Sequence, residues 1–547
     1  MRDAAPHVRA PPSTTSPLLR LCRAALLLTL IAPATACTTL VAGRAATADG
    51  SLLAAHSNDG DGATIGNLAI VPAANWTLPS SRAVSGGSIP QVAHTHAYYT
   101  KVGGYASINE HQVGLAESTA VAVFPGQRAK AKLNIVDLSA LALERAQTSR
   151  DAVRTMGELA ELHGYYDAGE SLLVLDPTEA FIFHVLPDHS GASAVWVAQR
   201  VPDSHVGVVA NSFTVRVVDQ HDEHGFLFSK TLEAAALATG RWSTGTPLDF
   251  TRVFAGPEPG RKYYSGRRMW AAFRRLAPAA AASLSPEYEE YVSACSYPST
   301  LPAANLTAAS MRDAMRDFYQ GTPYDLSVGV AAGPFGSPAR WKAAAGVDGA
   351  FERPIAIQRT ILSHVLTCRS WLPDAIGGVM WMAMHAAHTS VYVPFFAGAT
   401  RVDVPLPIGF TNNSVAVDRG VGAWQASRFV FAAAQLDFQR SIGLVRHAQA
   451  KWEQAGEVLI DDAAAAFHAA NASMAEVARW SSMHAAKTVA AWWQLSDELI
   501  VGVAYPSTIY PQWWLEEPAV NFTGGPPPSP DVPPPPKLAT APSARII

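Results

Sequence analysis

The chain has 547 residues, of which 49% are hydrophobic and 16% charged, with a formal net charge of −4. That composition supports a sizeable core and argues against a largely disordered protein. The slight acidity argues against nucleic acid as a partner.

Residues 1–36 carry the pattern of a secretory signal. Arg20 and Arg23 precede the apolar run 24–32, and Ala34-Thr35-Ala36 supplies small residues at −3 and −1. The run is too short to span a bilayer, which takes about 20 apolar residues, so no stable membrane anchor is expected. A bacterial lipobox, which normally has Leu where Ala34 stands, and an uncleaved anchor are the competing readings. Without this segment about 510 residues remain, enough for one large domain or two to three ordinary ones.

Residues 37–60 read as a β-hairpin, CTTLVAGRAAT and SLLAAHSN, turning at Asp49-Gly50. A two-residue loop there puts Ala48 opposite Ser51, Cys37 opposite residue 62 and Asp59 opposite Leu40. Asp59 then falls about 10 Å short of the cysteine's partner, a gap that a bulge or bent strand end would close. A second strand pair is expected in 105–123, turning at Asn109-Glu110-His111. Helices follow over 134–147 and 150–163, with Ser149 as N-cap and Gly164 as the stop.

Strands are expected again at 171–175 and 180–186 around Asp176-Pro177, and at 205–211. Helix is expected near 225–238, 264–276 and 308–319, strand near 375–396, and mainly helix over 423–495. Arg267-Arg268 and Arg274-Arg275 lie on an amphipathic helical pattern and read as a solvated face. The Pro-rich stretch 524–547 cannot bury a core and reads as a disordered tail. Strands, two helices, then strands suggest sheets covered by helices, an α+β architecture. The expected division is a signal at 1–36, a main domain at 37–422, a helical part of the same unit at 423–515, and the tail.

Of four cysteines, Cys22 leaves with the signal, and Cys37, Cys295 and Cys368 remain. An odd number in a secreted chain implies a free thiol. The simplest partition pairs Cys295 with Cys368 and leaves Cys37 free. Five N-x-S/T sequons begin at Asn75, Asn305, Asn412, Asn471 and Asn521. With a signal they suit a glycoprotein of the eukaryotic secretory route, secreted or lysosomal/vacuolar.

Cleavage after Ala36 would make Cys37 the mature N-terminus, with thiol and free α-amine on one residue. An α-amine has a pKa of roughly 7.7–8.0 and can take the thiol proton near neutral pH. A chain still carrying its leader has an amide there, which is no base, so activity would be tied to processing. Asp59 is a plausible holder of the ammonium, and His56 is a second polar candidate on the same strand.

CTTLVAGRAATADGSLLAAHSND resembles the start of the mature dipeptidases of peptidase family C69, members of the N-terminal-nucleophile hydrolases. GGYASINEHQVGLAEST resembles that family's second motif, and TCRSWLPDAIGGVMWMAMHAAHTSVYVPFFAG a third. The resemblance implies a four-layer αββα sandwich with a mainly helical C-terminal region, and Cys37 as nucleophile. Against the wider bile-salt-hydrolase and penicillin-acylase-like relatives, Asp59 matches the Asp that holds the nucleophile's amine. Asn109 matches an oxyanion-hole Asn, and Asn211 a second Asn near the nucleophile. Those relatives have Arg where His56 stands, and His carries neither constant charge nor a guanidinium fork.

Three readings of the function stand side by side: a dipeptidase acting on small peptides, an amidase acting on N-acyl amines, and an inactive secreted binding protein. Glu117, beside Ser118, is a candidate to receive a dipeptide's ammonium. His94-x-His96 with His111 nearby reads as polar surface, and His385 and His388 as core-edge residues. With no HExxH, no close cysteine pair, no GxSxG and no phosphate or dinucleotide loop, no metal or cofactor is expected. A homo-oligomer is compatible with the sequence.

Overall fold

A computed structural model describes residues 37–60, 64–256, 262–286, 297–329, 332–339, 353–414 and 419–503. The signal segment, Cys295, Asn521 and the Pro-rich tail lie outside them. In chain order the strands are β1 Thr38–Ala42, β2 Leu52–Asp59, β3 Leu68–Val71, β4 Ala74–Asn75, β5 Ser81–Val84, β6 Gly87–Pro90, β7 His94–Thr95, β8 Tyr98–Lys101, β9 Ala106–Asn109 and β10 Gly114–Ala120. They continue with β11 Gly169–Leu175, β12 Ala180–Pro187, β13 Ala194–Arg200, β14 His205–Val209, β15 Phe226–Phe228, β16 Thr300–Pro302, β17 Thr360–Cys368, β18 Val379–Met384 and β19 Val393–Phe396. The longer helices are α1 Ile135–Arg145, α2 Ser149–His163, α3 Arg267–Leu276, α4 Ala308–Met315, α5 Ala423–Leu436, α6 Phe438–His468 and α7 Met474–Val503.

Two antiparallel sheets hold the core. One has the order β16-β14-β1-β2-β17-β18-β19, the other β15-β13-β12-β11-β10-β9-β8-β3. Side chains alternate across a strand, so β1 sends Val41 one way and Leu40 and Ala42 the other. Val41, Ala54 and Leu366 meet Ile108, Ala116 and Leu173 between the sheets. Leu40, Ala55 and Trp381 pack outward against Phe273 of α3, Met311 of α4 and Ile460 of α6. On the far side Leu172, Phe183 and Trp196 pack against Leu138 and Leu141 of α1 and Val153 of α2. Helix, sheet, sheet, helix is the expected αββα order. α5 and α7 extend the inter-sheet core through Val430 and Trp492.

The α1 and α2 helices lie within two residues of their expected bounds. Asn134 and Asp137 form a capping box, and Gly164 ends α2 at φ 76°. Thr148, not Ser149, caps α2, because Ser149 turns its hydroxyl to Asp176 at 2.9 Å. The helix expected over 225–238 is the short strand β15 followed by a helix at Leu232–Ala238.

Two expectations are overturned here. Thr38 pairs with Ser57 and Leu40 with Ala55, so the first hairpin is four positions out of the expected register. The cause is a longer loop. The Thr47 hydroxyl donates to the Arg44 and Ser51 carbonyls at 2.9 and 2.7 Å, and Asp49 accepts from the Ser51 N–H at 3.0 Å. The proposed Cys295–Cys368 bridge is also absent. Cys368 is a free, buried thiol that donates to the Gln112 carbonyl at 3.1 Å.

Candidate active site

β1 lies between β14 and β2, both antiparallel to it. The start of β1 is therefore flanked by the ends of its neighbours. Continuing the register from Thr39↔Val209 and Thr38↔Ser57 sets Cys37 beside Asn211 and Asn58. The slip in the hairpin thus removes the expected gap, because Asp59 now stands one residue past the cysteine's partner. β17 adds Thr360 opposite Asp59.

Hydrogen bonds join these strand ends into one buried cluster. Asp59 accepts from Thr360 Oγ1 at 2.6 Å and pairs with the Arg353 guanidinium. Arg353 also donates to Asn211 Oδ1 at 3.0 Å, as does Arg268 at 2.8 Å. Arg268 further donates to the Cys37 carbonyl at 3.0 Å and to Thr38 Oγ1 at 2.8 Å. Ser118, from the other sheet, donates to the Cys37 carbonyl at 3.2 Å and accepts from the Asn211 N–H at 2.9 Å. Asn211 has φ 57°, a left-handed conformation that Asn tolerates better than most residues.

The second half of the cluster is ionisable. His56 Nε2 lies 3.7 Å from Glu117 Oε2, with both residues buried. Cys37 Sγ, His56 and Glu117 offer ligand atoms all within 4.8 Å of one another. Burial, then the charges of Glu117 and Asp59, push the Cys37 thiol well above its ordinary range. Burial raises Glu117 too, but His56 and a hydrogen bond from Glu170 more than offset it, so Glu117 is the ionised partner. Burial and the Glu117 charge push Glu170 well up, so it keeps its proton. Burial and the neighbouring Arg353 lower Arg268 to about 9, which leaves it charged at neutral pH. Lys101, lowered by burial, is close enough to feel both Cys37 and Glu117.

Of the residues singled out in the sequence, Cys37, Asp59, Asn211, His56 and Glu117 come together. Asn109 does not join them. It stands opposite Tyr98, on the face covered by α1. Its amide donates to the Leu143 and Ala146 carbonyls at 3.1 and 2.8 Å, and its oxygen accepts from the His111 and Val113 N–H groups at 3.0 Å each. Both ends of the side chain are engaged in closing a turn and the end of a helix.

Arg267 and Arg268 were expected on a solvated face, yet both are 0% exposed. A signal was present: Arg268 shares a helical face with Ala272 and Leu276, four and eight residues on, both buried. Two guanidinium groups, Arg268 and Arg353, reach the cluster from elsewhere in the chain. Nothing local in the sequence marks Arg353. The His94, His96 and His111 group is partly buried rather than surface. His96 pairs with Glu110 at 3.4 Å and with His111 at 3.2 Å. His385 and His388 are buried among aromatic rings.

Four layers with a buried thiol at the head of a central strand have the architecture of a cysteine-type N-terminal-nucleophile hydrolase. The family model of peptidase family C69 matches residues 36–451. The chain belongs to that family. Its relatives include a "Probable dipeptidase" of Salmonella dublin, 26% identical over 66% of this chain and 81% of that one. A "Probable dipeptidase" of Latilactobacillus sakei is 22% identical over 74% of this chain and 85% of that one. "Dipeptidase A" of Lactobacillus helveticus is 22% identical over 67% and 76%. Among solved structures, penicillin V acylase from Agrobacterium tumefaciens covers 66% of this chain and 86% of its own at 14% identity, with a TM-score of 0.29. That score is too low to support a structural comparison.

Proposed function

We propose that the chain is a dipeptidase whose nucleophile is the thiol of Cys37, freed at the N-terminus by removal of residues 1–36. One observation carries this reading: the buried Cys37 thiol heads a central strand one cross-strand position from the Asp59 carboxylate. In the unprocessed chain the residue has no amine, and burial keeps the thiol protonated. Processing adds an α-amine that takes the thiol proton and then carries positive charge beside Asp59 and Glu117. That charge opposes the two carboxylates that now raise the thiol's pKa.

The thiolate attacks the scissile carbonyl, the α-ammonium returns its proton to the leaving amine, and water resolves the thioester. Arg268 and Ser118 hold the Cys37 carbonyl, which fixes the direction of the thiol. Glu117 and Lys101 offer opposite charges near it, suited to the ammonium and carboxylate of a dipeptide rather than to an apolar acyl chain. Relatives named dipeptidases support the same choice.

The same reading includes entry into the secretory pathway, towards the exterior or a lysosomal or vacuolar compartment. Asn75, Asn305, Asn412 and Asn471 are all exposed, as glycosylation requires. Among the described residues no helix is long and apolar enough to cross a membrane.

The test is a dipeptide panel with Cys37→Ala as control, alongside mass spectrometry of the secreted chain's N-terminus. A chain beginning at Cys37 that hydrolyses dipeptides is expected. Activity surviving Cys37→Ala, or a mature chain with Cys37 acylated on its amine, overturns the mechanism.

A further inference from the structure

Three metal-ligand atoms converge beside β1 in a way that hydrolysis does not require. Cys37 Sγ, a His56 ring nitrogen and a Glu117 carboxylate oxygen lie within 4.8 Å of one another. All three residues are buried. His56 Nε2 and Glu117 Oε2 have no hydrogen-bond partner among the described residues. They face each other at 3.7 Å, an ion-pair separation too long for a hydrogen bond. The pair thus has capacity for a ligand that neither of its neighbours satisfies.

Surrounding groups hold the three side chains in position. Thr119 donates to Glu117 Oε1 at 2.8 Å, leaving Oε2 for the cluster. His364 packs edge-on against the His56 ring at 5.0 Å, and His364 itself bonds the Leu115 carbonyl at 3.2 Å. Ser118 and Arg268 pin the Cys37 backbone.

Thiolate, imidazole and carboxylate are the donor set of zinc, with bonds of about 2.0–2.3 Å and tetrahedral geometry. Those bonds set ligand atoms about 3.3–3.8 Å apart. His56 Nε2 and Glu117 Oε2, at 3.7 Å, already meet that spacing. The remaining separations close by about 1.5 Å at most, within the reach of side-chain rotations. Magnesium and calcium prefer all-oxygen sites and fit this set poorly.

We propose that Cys37, His56 and Glu117 form a zinc site, and that zinc bound there is a reversible off-state of the thiol. In the processed chain the Cys37 α-amine supplies a fourth donor, closing a five-membered chelate ring with its own sulfur. As the S–Zn and N–Zn bonds form, the proton that the thiol and the α-amine share passes to solvent, so both donors bind deprotonated. The sulfur lone pair is then committed to the metal and cannot attack a carbonyl. A chelator withdraws the zinc, the sulfur regains a proton, and the nucleophile returns. Oxidation states do not change. His56 is central to this, because an arginine in its place would offer no lone pair to a metal. The inference goes beyond the dipeptidase reading. Hydrolysis by a chain that binds no zinc overturns the site alone, and zinc binding by a chain that stays inactive once stripped of zinc overturns the dipeptidase alone.

The test uses the processed, full secreted chain titrated with Co2+, then displaced with Zn2+. One equivalent of cobalt with a thiolate-to-metal charge-transfer band is expected, and the band is lost in Cys37→Ser. His56→Gln and Glu117→Gln are each expected to weaken zinc binding at least about 10-fold, the low end of what even an outer partner of a metal ligand contributes. Zinc is expected to protect Cys37 from alkylation, read by mass spectrometry, and EDTA to reverse that protection. Alkylation of the wild type decides the matter even where a variant fails to fold. Cobalt bound without the thiolate band places the metal elsewhere, such as the His94, His96 and Glu110 group, and overturns the proposal. So do unchanged zinc affinities in both variants, or alkylation indifferent to zinc.

Discussion

The pocket around Cys37 and the β9–β10 turn are both rich in buried polar side chains, yet they are built on opposite terms. In the turn every group named is engaged. Asn109 makes four hydrogen bonds. Glu110 accepts from the Ala97 N–H at 3.0 Å and pairs with His96 and Arg401. Burial opposes that carboxylate, but His96, the Ala97 N–H and Arg401 together hold its pKa at about 2. Gln112 donates to Asp374 at 3.0 Å and accepts from the Arg369 N–H at 2.9 Å. Around Cys37, by contrast, the framework of Asp59, Asn211, Arg268 and Arg353 is tightly bonded, while His56 Nε2 and Glu117 Oε2 face each other at 3.7 Å with no hydrogen-bond partner among the described residues. Polar density alone therefore does not mark a reactive site. A rigid frame with unspent donors and acceptors beside a nucleophile does. Unspent atoms by themselves are not sufficient either: both ring nitrogens of His388 lack hydrogen-bond partners among the described residues, but they lie among Phe318, Phe431 and Phe438.

The comparison breaks most readily at the nucleophile. Cys37→Ala is expected to lower kcat/KM for dipeptides at least about 10⁴-fold, as loss of a covalent nucleophile does elsewhere. A thermal melt of the same variant is expected to stay close to wild type, since the thiol holds little of the frame. Arg268→Met strikes the frame itself. It strips partners from Asn211 Oδ1, Thr38 Oγ1 and the Cys37 carbonyl together. Breaking a buried charged anchor costs about 3–5 kcal/mol, and displacing the nucleophile by about 1 Å costs about 10²-fold in rate. Denaturant melts and kcat/KM should therefore fall together.

Asn109→Ala sharpens the contrast from the other side. Four lost hydrogen bonds at about 0.5–1.5 kcal/mol each should cost about 2–6 kcal/mol of stability, with kcat of the folded protein nearly unchanged. A drop of about 10²–10³ in kcat at unchanged stability would instead assign the amide to the oxyanion, and the two regions would no longer differ.

The smallest effect per residue changed concerns buried imidazoles outside both regions. Burial lowers His184, His385 and His388 to about 3, with nearby arginines contributing for the last two. Each is lowered below its unfolded value of about 6.5. The stability at stake is complete above pH 6.5 and is lost as pH falls towards 3, because the unfolded chain binds the protons first. The slope is about 1.4 kcal/mol per pH unit for each histidine. Melts between pH 7.5 and 5 measure it, and His388→Phe should remove one histidine's share.

Much of the site was legible because several of its parts are close in the chain. Cys37, His56 and Asp59 belong to one hairpin, and a short-range turn signal was enough to bring them near one another. The register was not legible, because Thr47 and Asp49 stabilise a longer loop through bonds that no turn dipeptide announces. β17 was missed for a different reason. TILSHVLTC is buried along its whole length, so it shows no alternation between an apolar and a polar face. Asn109 and Asn211 look alike in sequence, each at a strand end where Asn favours irregular backbone. Only the layer each one faces separates a turn-closing amide from a member of the cluster.

By itself the sequence determined the class of this protein: motifs that resemble one family, a cysteine that follows a signal-like pattern, strands with covering helices, and an acid on the neighbouring strand. Those properties are local, set by residue type and by spacings of a few to twenty residues. The tertiary structure decided which charges meet the cysteine. Arg268 and Arg353 reach it from 231 and 316 positions away (268 − 37 and 353 − 37). Whether such residues are solvated or buried depends on how a helix packs behind a sheet, and chain spacing carries little information about that.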